Sequence, residues 1–187
     1  MKALDRFIQR YRIRKAQAFI RPGDSVLDIG TADGALFQMI VGLGESVGVD
    51  PDLNKSILPV LPNVSFYSGY FPEALPEPCQ FDVITMLAVL EHVPSNAQIN
   101  LARSCKDYLK PGGTLVITVP SPVVDRILDV LKAIRLIDGM SVEQHYGFKV
   151  DETPSIFGTQ GLRLTTRKKF QLGLNNLFVF KRSEAIE

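Results

Sequence analysis

The sequence predicts an α/β fold: a doubly wound, mostly parallel sheet of seven strands whose last strand runs antiparallel, with helices on both faces. Three observations lead there. Short apolar runs alternate with helical patterns, a glycine-bearing turn follows the first run, and a short polar link with a glycine joins the last two. At 187 residues, 45% hydrophobic and a net charge of +1, the chain fits one domain, 1–187, with a sizeable core and no general attraction to polyanions.

The first 21 residues, "MKALDRFIQRYRIRKAQAFIR", form the first predicted element. Leu4, Phe7, Ile8, Tyr11, Ala18 and Phe19 fall largely on one helical face, while Lys2, Arg6, Arg10, Arg12, Arg14, Lys15 and Arg21 outnumber the single acid Asp5. Such a helix packs on the domain with a solvated basic face, or offers that face to an anionic surface as a peripheral membrane contact. The pattern runs straight into "RPGDSVLDIG", which argues against a cleavable presequence.

Strands are predicted at Ser25–Ile29, Ser46–Val49, Val64–Tyr67, Phe81–Met86 and Thr114–Val119. Helices fall near Gly34–Gly42, Pro94–Leu109 and Pro122–Ile137, with weaker turns near Asp52–Leu58 and Phe71–Leu75. "RPGD" and "KPGG" each stop what precedes them and turn the chain toward a strand. The final runs, Leu162–Phe170 and Asn176–Lys181, are joined by "QLGLN", which suits a hairpin and sets the last strand antiparallel.

Cys79 and Cys105 form no C-x-x-C pair and no Cys/His cluster, so no metal site or disulfide framework is expected, and a cytoplasmic setting fits. No apolar run approaches the roughly 18 residues that a transmembrane helix needs.

The stretch "SVLDIGTADGALF" has the outline of a nucleotide turn but not its dinucleotide form. A pyrophosphate lies on bare backbone at a G-x-G-x-x-G turn, whereas here Asp28 and Asp33 flank Gly30, Ala32 and Gly34 and repel phosphate. No G-K-[ST] follows, which excludes a P-loop. A cationic, phosphate-free cofactor turns the repulsion into attraction. S-adenosyl-L-methionine carries an ammonium and a sulfonium, and its ribose has a free diol. Asp28 could meet the ammonium, with Gly30 letting the backbone approach the methionine portion. Asp50, twenty residues past Gly30 and followed by Pro51, could accept both ribose hydroxyls.

These residues resemble the class I S-adenosylmethionine-dependent methyltransferases, particularly the small single-domain ones, from Arg21 to Arg182. "VLDIGTADG" is similar to the family's first motif, "GVDPD" to its acidic second motif, "FDVITMLAVLEHVP" to its fourth-strand motif and "LKPGGTLVITVP" to the segment entering strand five. The resemblance implies a Rossmann-like sheet, methyl transfer from S-adenosylmethionine, and a cleft bordered by Met86 and Leu87. Two departures stand out. Ala32 replaces the middle glycine of the first motif and is expected at negative φ; Gly69 and Tyr70 stand where the family often has an acid for the adenine amino group, so backbone and the ring of Tyr70 or Phe71 are expected to hold adenine.

Catalytic candidates are His92, just past strand four beside Glu91, and His145, which with Tyr146 lies between helix Pro122–Ile137 and strand six. The competing reading of each histidine is a local hydrogen-bonding group. Methyl transfer demands little acid-base help, because alignment and desolvation supply most of the catalysis. The basic run at Arg163, Arg167, Lys168 and Lys169 lacks interleaved aromatics, so nucleic acid is disfavoured and a small-molecule, sugar or lipid-linked acceptor preferred. The expected assembly is a monomer or homodimer. The rival functions are a non-catalytic S-adenosylmethionine-binding protein and an NAD-dependent oxidoreductase.

Overall fold

The computed structural model describes residues 3–76, 79–121 and 148–184. Helix α1 (Ala3–Gln17) leads into β1 (Val26–Ile29), α2 (Ala35–Met39), β2 (Ser46–Asp50) and β3 (Val64–Ser68). Strand β4 (Phe81–Leu87), α3 (Ser95–Asp107) and β5 (Leu109–Pro120) follow, then α4 (Thr153–Gly158), β6 (Leu162–Phe170) and β7 (Asn175–Arg182). Single 3-10 turns occupy Lys55–Ile57, Leu90–His92 and Val150–Glu152.

The seven strands form one sheet in the order β3-β2-β1-β4-β5-β7-β6. Strands β1 to β5 pair in parallel, and β7 runs antiparallel to both β5 and β6. The chain winds outward from β1 to β3 and then returns to start β4 on the other side of β1, so the strand order reverses between β1 and β4. In open α/β sheets, ligands bind at the carboxyl ends of the strands flanking that reversal.

Alternation along the strands divides the core in two. Leu27, Ile29, Ile84, Met86, Leu115 and Ile117 pack toward Ala102 and Cys105 of α3 and Phe157 of α4. On the other face Val26, Val83 and Val116 pack with Ile13 and Ala16 of α1 and Leu36 and Phe37 of α2. All four residues of β1 are buried, as expected of a parallel strand covered on both sides. Strand β6 is one edge of the sheet, opposite β3, and its exposed Arg163, Arg167, Lys168 and Lys169 discourage further strand pairing.

Most strand ends fall within one residue of those predicted, and several other boundaries differ by more. The "KPGG" stretch lies within β5 instead of ahead of it: Leu109 pairs with Phe81, and a register shift before Val83 pairs with Thr114 absorbs the extra residues, with Gly112 at φ 73°. Helix α2 ends at Met39 because Ile40 is already extended, and α3 ends at Asp107 because Leu109 has joined the sheet. Helix α4, in "TPSIFG", was not predicted, although Pro154 in its first turn is a start signal. The predicted helix Pro122–Ile137 lies outside the described residues. Cys79 and Cys105 are free thiols.

Candidate active site

At the carboxyl ends of β1, β2 and β4, three acids surround the first turn. Asp28 of β1 is 4% exposed and accepts a hydrogen bond from Thr85 Oγ1 of its register partner on β4 at 2.6 Å. Burial is the main reason its carboxyl is pushed up to about 7. The Thr85 hydroxyl and the nearby Thr31 hydroxyl favour the charged form, whereas Asp50 and Asp33 add repulsion. Thr31 Oγ1 is itself buried and makes no hydrogen bond of ordinary geometry. Thr85 was missed in the sequence; a lone polar residue inside the buried run "DVITML" was the available signal.

Asp50 ends β2 half-buried. Its Oδ2 accepts the Ala32 N–H and its Oδ1 the Asp52 N–H, both at 2.9 Å. Each oxygen keeps a second lone pair, which suits a vicinal diol. Pro51 follows on the exposed turn. Gly69, at φ 136°, donates its N–H to the Asp50 carbonyl at 3.0 Å and so ties the turn after β3 to the end of β2. Tyr70 is exposed beside it, while the Phe71 ring is engaged edge-on with Tyr108 at 5.0 Å between centroids. Of the two rings proposed for adenine, Tyr70 is therefore the one presented to solvent.

The turn itself departs from expectation in two ways. Ala32 sits at φ 50°, in the left-handed region and not at negative φ; its N–H bond to Asp50 helps hold that conformation. Gly30 is glycine for packing as well as for its φ of 75°, because a Cβ there would stand 2.3 Å from Val89 Cγ2. Val89 fills the position that a Cβ would take. At Gly34, φ 68°, a Cβ would meet Pro59 at 2.8 Å.

Met86 is 0% exposed and faces the α3 side, opposite to Asp28 and Thr85, so its side chain does not border the cleft as the resemblance implied. Leu87, on the other face, is partly buried among residues packed with α1 and α2. His92 closes the 3-10 turn after β4, partly exposed, with Nε2 4.0 Å from Glu91 Oε1. His145 and Tyr146 lie outside the described residues.

Helix α1 adds contacts that composition did not reveal. Gln9 Nε2 donates to Asp33 Oδ1 at 2.8 Å, and Arg12 Nε donates to Asn175 Oδ1 of β7 at 3.2 Å. Burial holds the Arg12 guanidinium below its ordinary range, partly offset by the charge of Glu91. The first helix thus sits against the rim of the cleft.

An acidic turn at the strand-order reversal, with a diol-sized acceptor at the end of β2, suits a cationic nucleoside better than a dinucleotide. The sequence profile of a family described as "Methyltransferase domain" matches residues 2–163. The chain belongs to this methyltransferase family. The buried Asp28, the half-occupied Asp50 carboxylate and the buried Thr31 hydroxyl suit S-adenosylmethionine.

Among known proteins, the methyltransferase is 39% identical over 101 residues to a ubiquinone biosynthesis O-methyltransferase of Paraburkholderia phytofirmans, a match covering 49% of this chain and 42% of the relative. The chain therefore aligns with less than half the length of that relative. An O-methyltransferase family protein from Burkholderia thailandensis superposes with a TM-score of 0.73 at 18% identity, over 98% of this chain and 58% of the other. The CalO1 methyltransferase of calicheamicin biosynthesis, in its SAH-bound form, gives 0.67 at 15% identity, over 94% of this chain and 54% of the other. Both share the fold.

No metal-binding group of His, Cys, Asp and Glu occurs among the described residues. No described helix is long and apolar enough to cross a membrane.

Proposed function

We propose that this chain transfers the methyl group of S-adenosylmethionine to an oxygen of a small-molecule or lipid-linked acceptor. The observation that carries the cofactor half is the convergence of Asp28, Asp33 and Asp50 on a turn, Ile29–Ala35, that contains no lysine or arginine. The oxygen acceptor is supported by the O-methyltransferase relatives. When bound, the cofactor supplies a methyl group activated by its sulfonium. Asp28 binds the ammonium, Asp50 the ribose diol, Gly69 and Tyr70 the base, and Gly34 the tight turn beside the methionine portion. An acceptor oxygen attacks in line, so that its C–O bond forms as the S–C bond breaks, and its proton passes to a base or to water. His92 and His145 are the candidate bases or acceptor contacts.

Calorimetric titration with S-adenosylmethionine, S-adenosylhomocysteine and NAD, repeated on Asp50→Ala, tests the cofactor. The first two should bind and lose at least about tenfold in affinity in the variant, because hydrogen bonds to a charged group are worth about 1.5–3 kcal/mol. Binding of NAD alone would overturn the assignment. Release of S-adenosylhomocysteine with a phenolic acceptor then tests transfer, and its absence over a broad acceptor panel would leave a cofactor-binding protein without catalysis. Loss of turnover with retained binding in His92→Ala or His145→Ala would identify the base.

A further inference from the structure

Outside the cleft, the most distinctive surface joins α1 to the turn between β6 and β7. Arg6, Arg10 and Arg14 are all exposed and recur every four residues, which places them on one helical face. At the margin of that face Phe7 is 61% exposed. Its ring lies 6.4 Å from Tyr11, which in turn stacks on Phe170 of β6 at 5.9 Å and carries the Lys15 ammonium above it. Two residues beyond Phe170, Leu172 is fully exposed at the hairpin tip. The apolar strip therefore runs from helix to hairpin.

Leu172 also stands at φ 55°, a left-handed conformation that leucine tolerates poorly and asparagine or glycine adopts readily. A fully exposed leucine there makes no contribution to the core. The charges around the strip share one sign. The hairpin from Leu162 to Arg182 contains no Asp or Glu, Lys168 shares the face of Phe170, and Asp5 of α1 is partly buried away from the arginine face.

We propose that this surface docks on an anionic lipid bilayer, with Phe7 and Leu172 entering the headgroup region and Arg6, Arg10, Arg14 and Lys168 facing the lipid phosphates. Charge complementarity selects a polyanionic partner. The fully exposed Leu172 selects a bilayer over a nucleic acid, because an aliphatic side chain offers no stacking platform for bases. The β6–β7 turn lies at the end of the sheet where Pro120 pairs with Asn175, the same end as the carboxyl termini of the parallel strands. Docking thus brings the mouth of the cleft to the lipid surface, where a lipid-linked acceptor would be presented.

The test is co-sedimentation of the whole chain, without cofactor, with vesicles of phosphatidylcholine alone and of phosphatidylcholine mixed with phosphatidylglycerol. Binding to the anionic vesicles only is expected, weakening with added salt. The Leu172→Asn variant relieves the backbone conformation, so its thermal stability should hold or rise while vesicle affinity falls by at least about fivefold; adding Phe7→Asn should bring the loss to more than about tenfold. The Arg10→Glu/Arg14→Glu variant should abolish the preference for anionic lipid. Absence of binding to either vesicle, equal binding to both, or affinity unchanged in the Leu172→Asn/Phe7→Asn variant would overturn the proposal. So would arginine-dependent binding of single-stranded RNA in place of vesicles, or self-association that Leu172→Asn abolishes. Methyl transfer enters none of these readouts.

Discussion

Thr85 Oγ1 donates to Asp28 Oδ1 at 2.6 Å across two register-paired strands, at the point where the sheet's order reverses. That single bond does not offset burial, so the carboxyl is pushed up from 3.8 to about 7. The consequence for stability has a definite sign. Between those two values the folded chain holds a proton that the unfolded chain has lost, so stability falls as pH rises and levels off above about 7. The gap corresponds to about 4 kcal/mol. Urea unfolding of Asp28→Asn should lack this slope and show greater stability than the parent at pH 8 but not at pH 4. Equal slopes in both proteins would show that Asp28 is ionised throughout. A cationic ligand favours the ionised form, so S-adenosylmethionine binding should strengthen from pH 5.5 to about 7.

The opposite end of the sheet has the opposite sign. Asp82, at the start of β4, would be raised by its partial burial, but bonds from Lys110 Nζ at 2.7 Å and from the Ser25 hydroxyl and N–H at 2.7 and 2.9 Å outweigh it and lower its pKa. Its contribution is present at neutral pH and is lost as pH falls through the folded value. Asp82→Asn should be less stable than the parent at pH 7, with the difference vanishing in acid. Thermal melts at pH 7 and along an acid series below 3.8 check it; a difference that does not shrink as the pH falls would assign the effect to packing.

How much was legible follows from which interactions are local. All seven strands were placed from strand-like runs, and the Leu162–Phe170 boundary was reproduced in full. The start of β5 was missed because Pro111 and two glycines ordinarily end a strand, and the pairing of Leu109 with Phe81 is a long-range contact. Asp28 and Asp50 were visible as strand-ending acids beside a glycine turn. Thr85 and the inward face of Met86 were not, because both depend on the register between β1 and β4, which the order of residues along one strand does not encode. Gln9 and Arg12 reach the cleft through helix docking, a tertiary choice. The left-handed Ala32 follows from the tie to Asp50, eighteen residues away.

That tie makes Ala32 a direct test of the turn. Alanine in the left-handed region costs roughly 1–2 kcal/mol, and its side chain here is exposed, so a glycine sacrifices no packing. Glycine's greater freedom in the unfolded chain returns roughly 0.5–1 kcal/mol of that. Ala32→Gly should therefore stabilise the protein by about 0.5–1 kcal/mol in denaturant unfolding, whereas Ala32→Val should destabilise it. A loss of stability in Ala32→Gly would contradict the positive φ.

Gly30 and Val89 couple the first turn to the loop after β4, and a double-mutant cycle measures how tightly. In Gly30→Ala the new methyl meets Val89 Cγ2 at 2.3 Å and adopts a φ of 75°, so a loss of about 2–4 kcal/mol is expected. Removing the obstructing methyls in Val89→Ala leaves the nearest remaining Val89 atom at 3.5 Å, an ordinary contact. The double variant should then recover the overpacking part but not the backbone part, giving a coupling of about 1–2 kcal/mol. Additive effects would mean that the loop after β4 moves aside at no cost. The two segments would then be independent, and the cleft between them would not be held in shape by this contact.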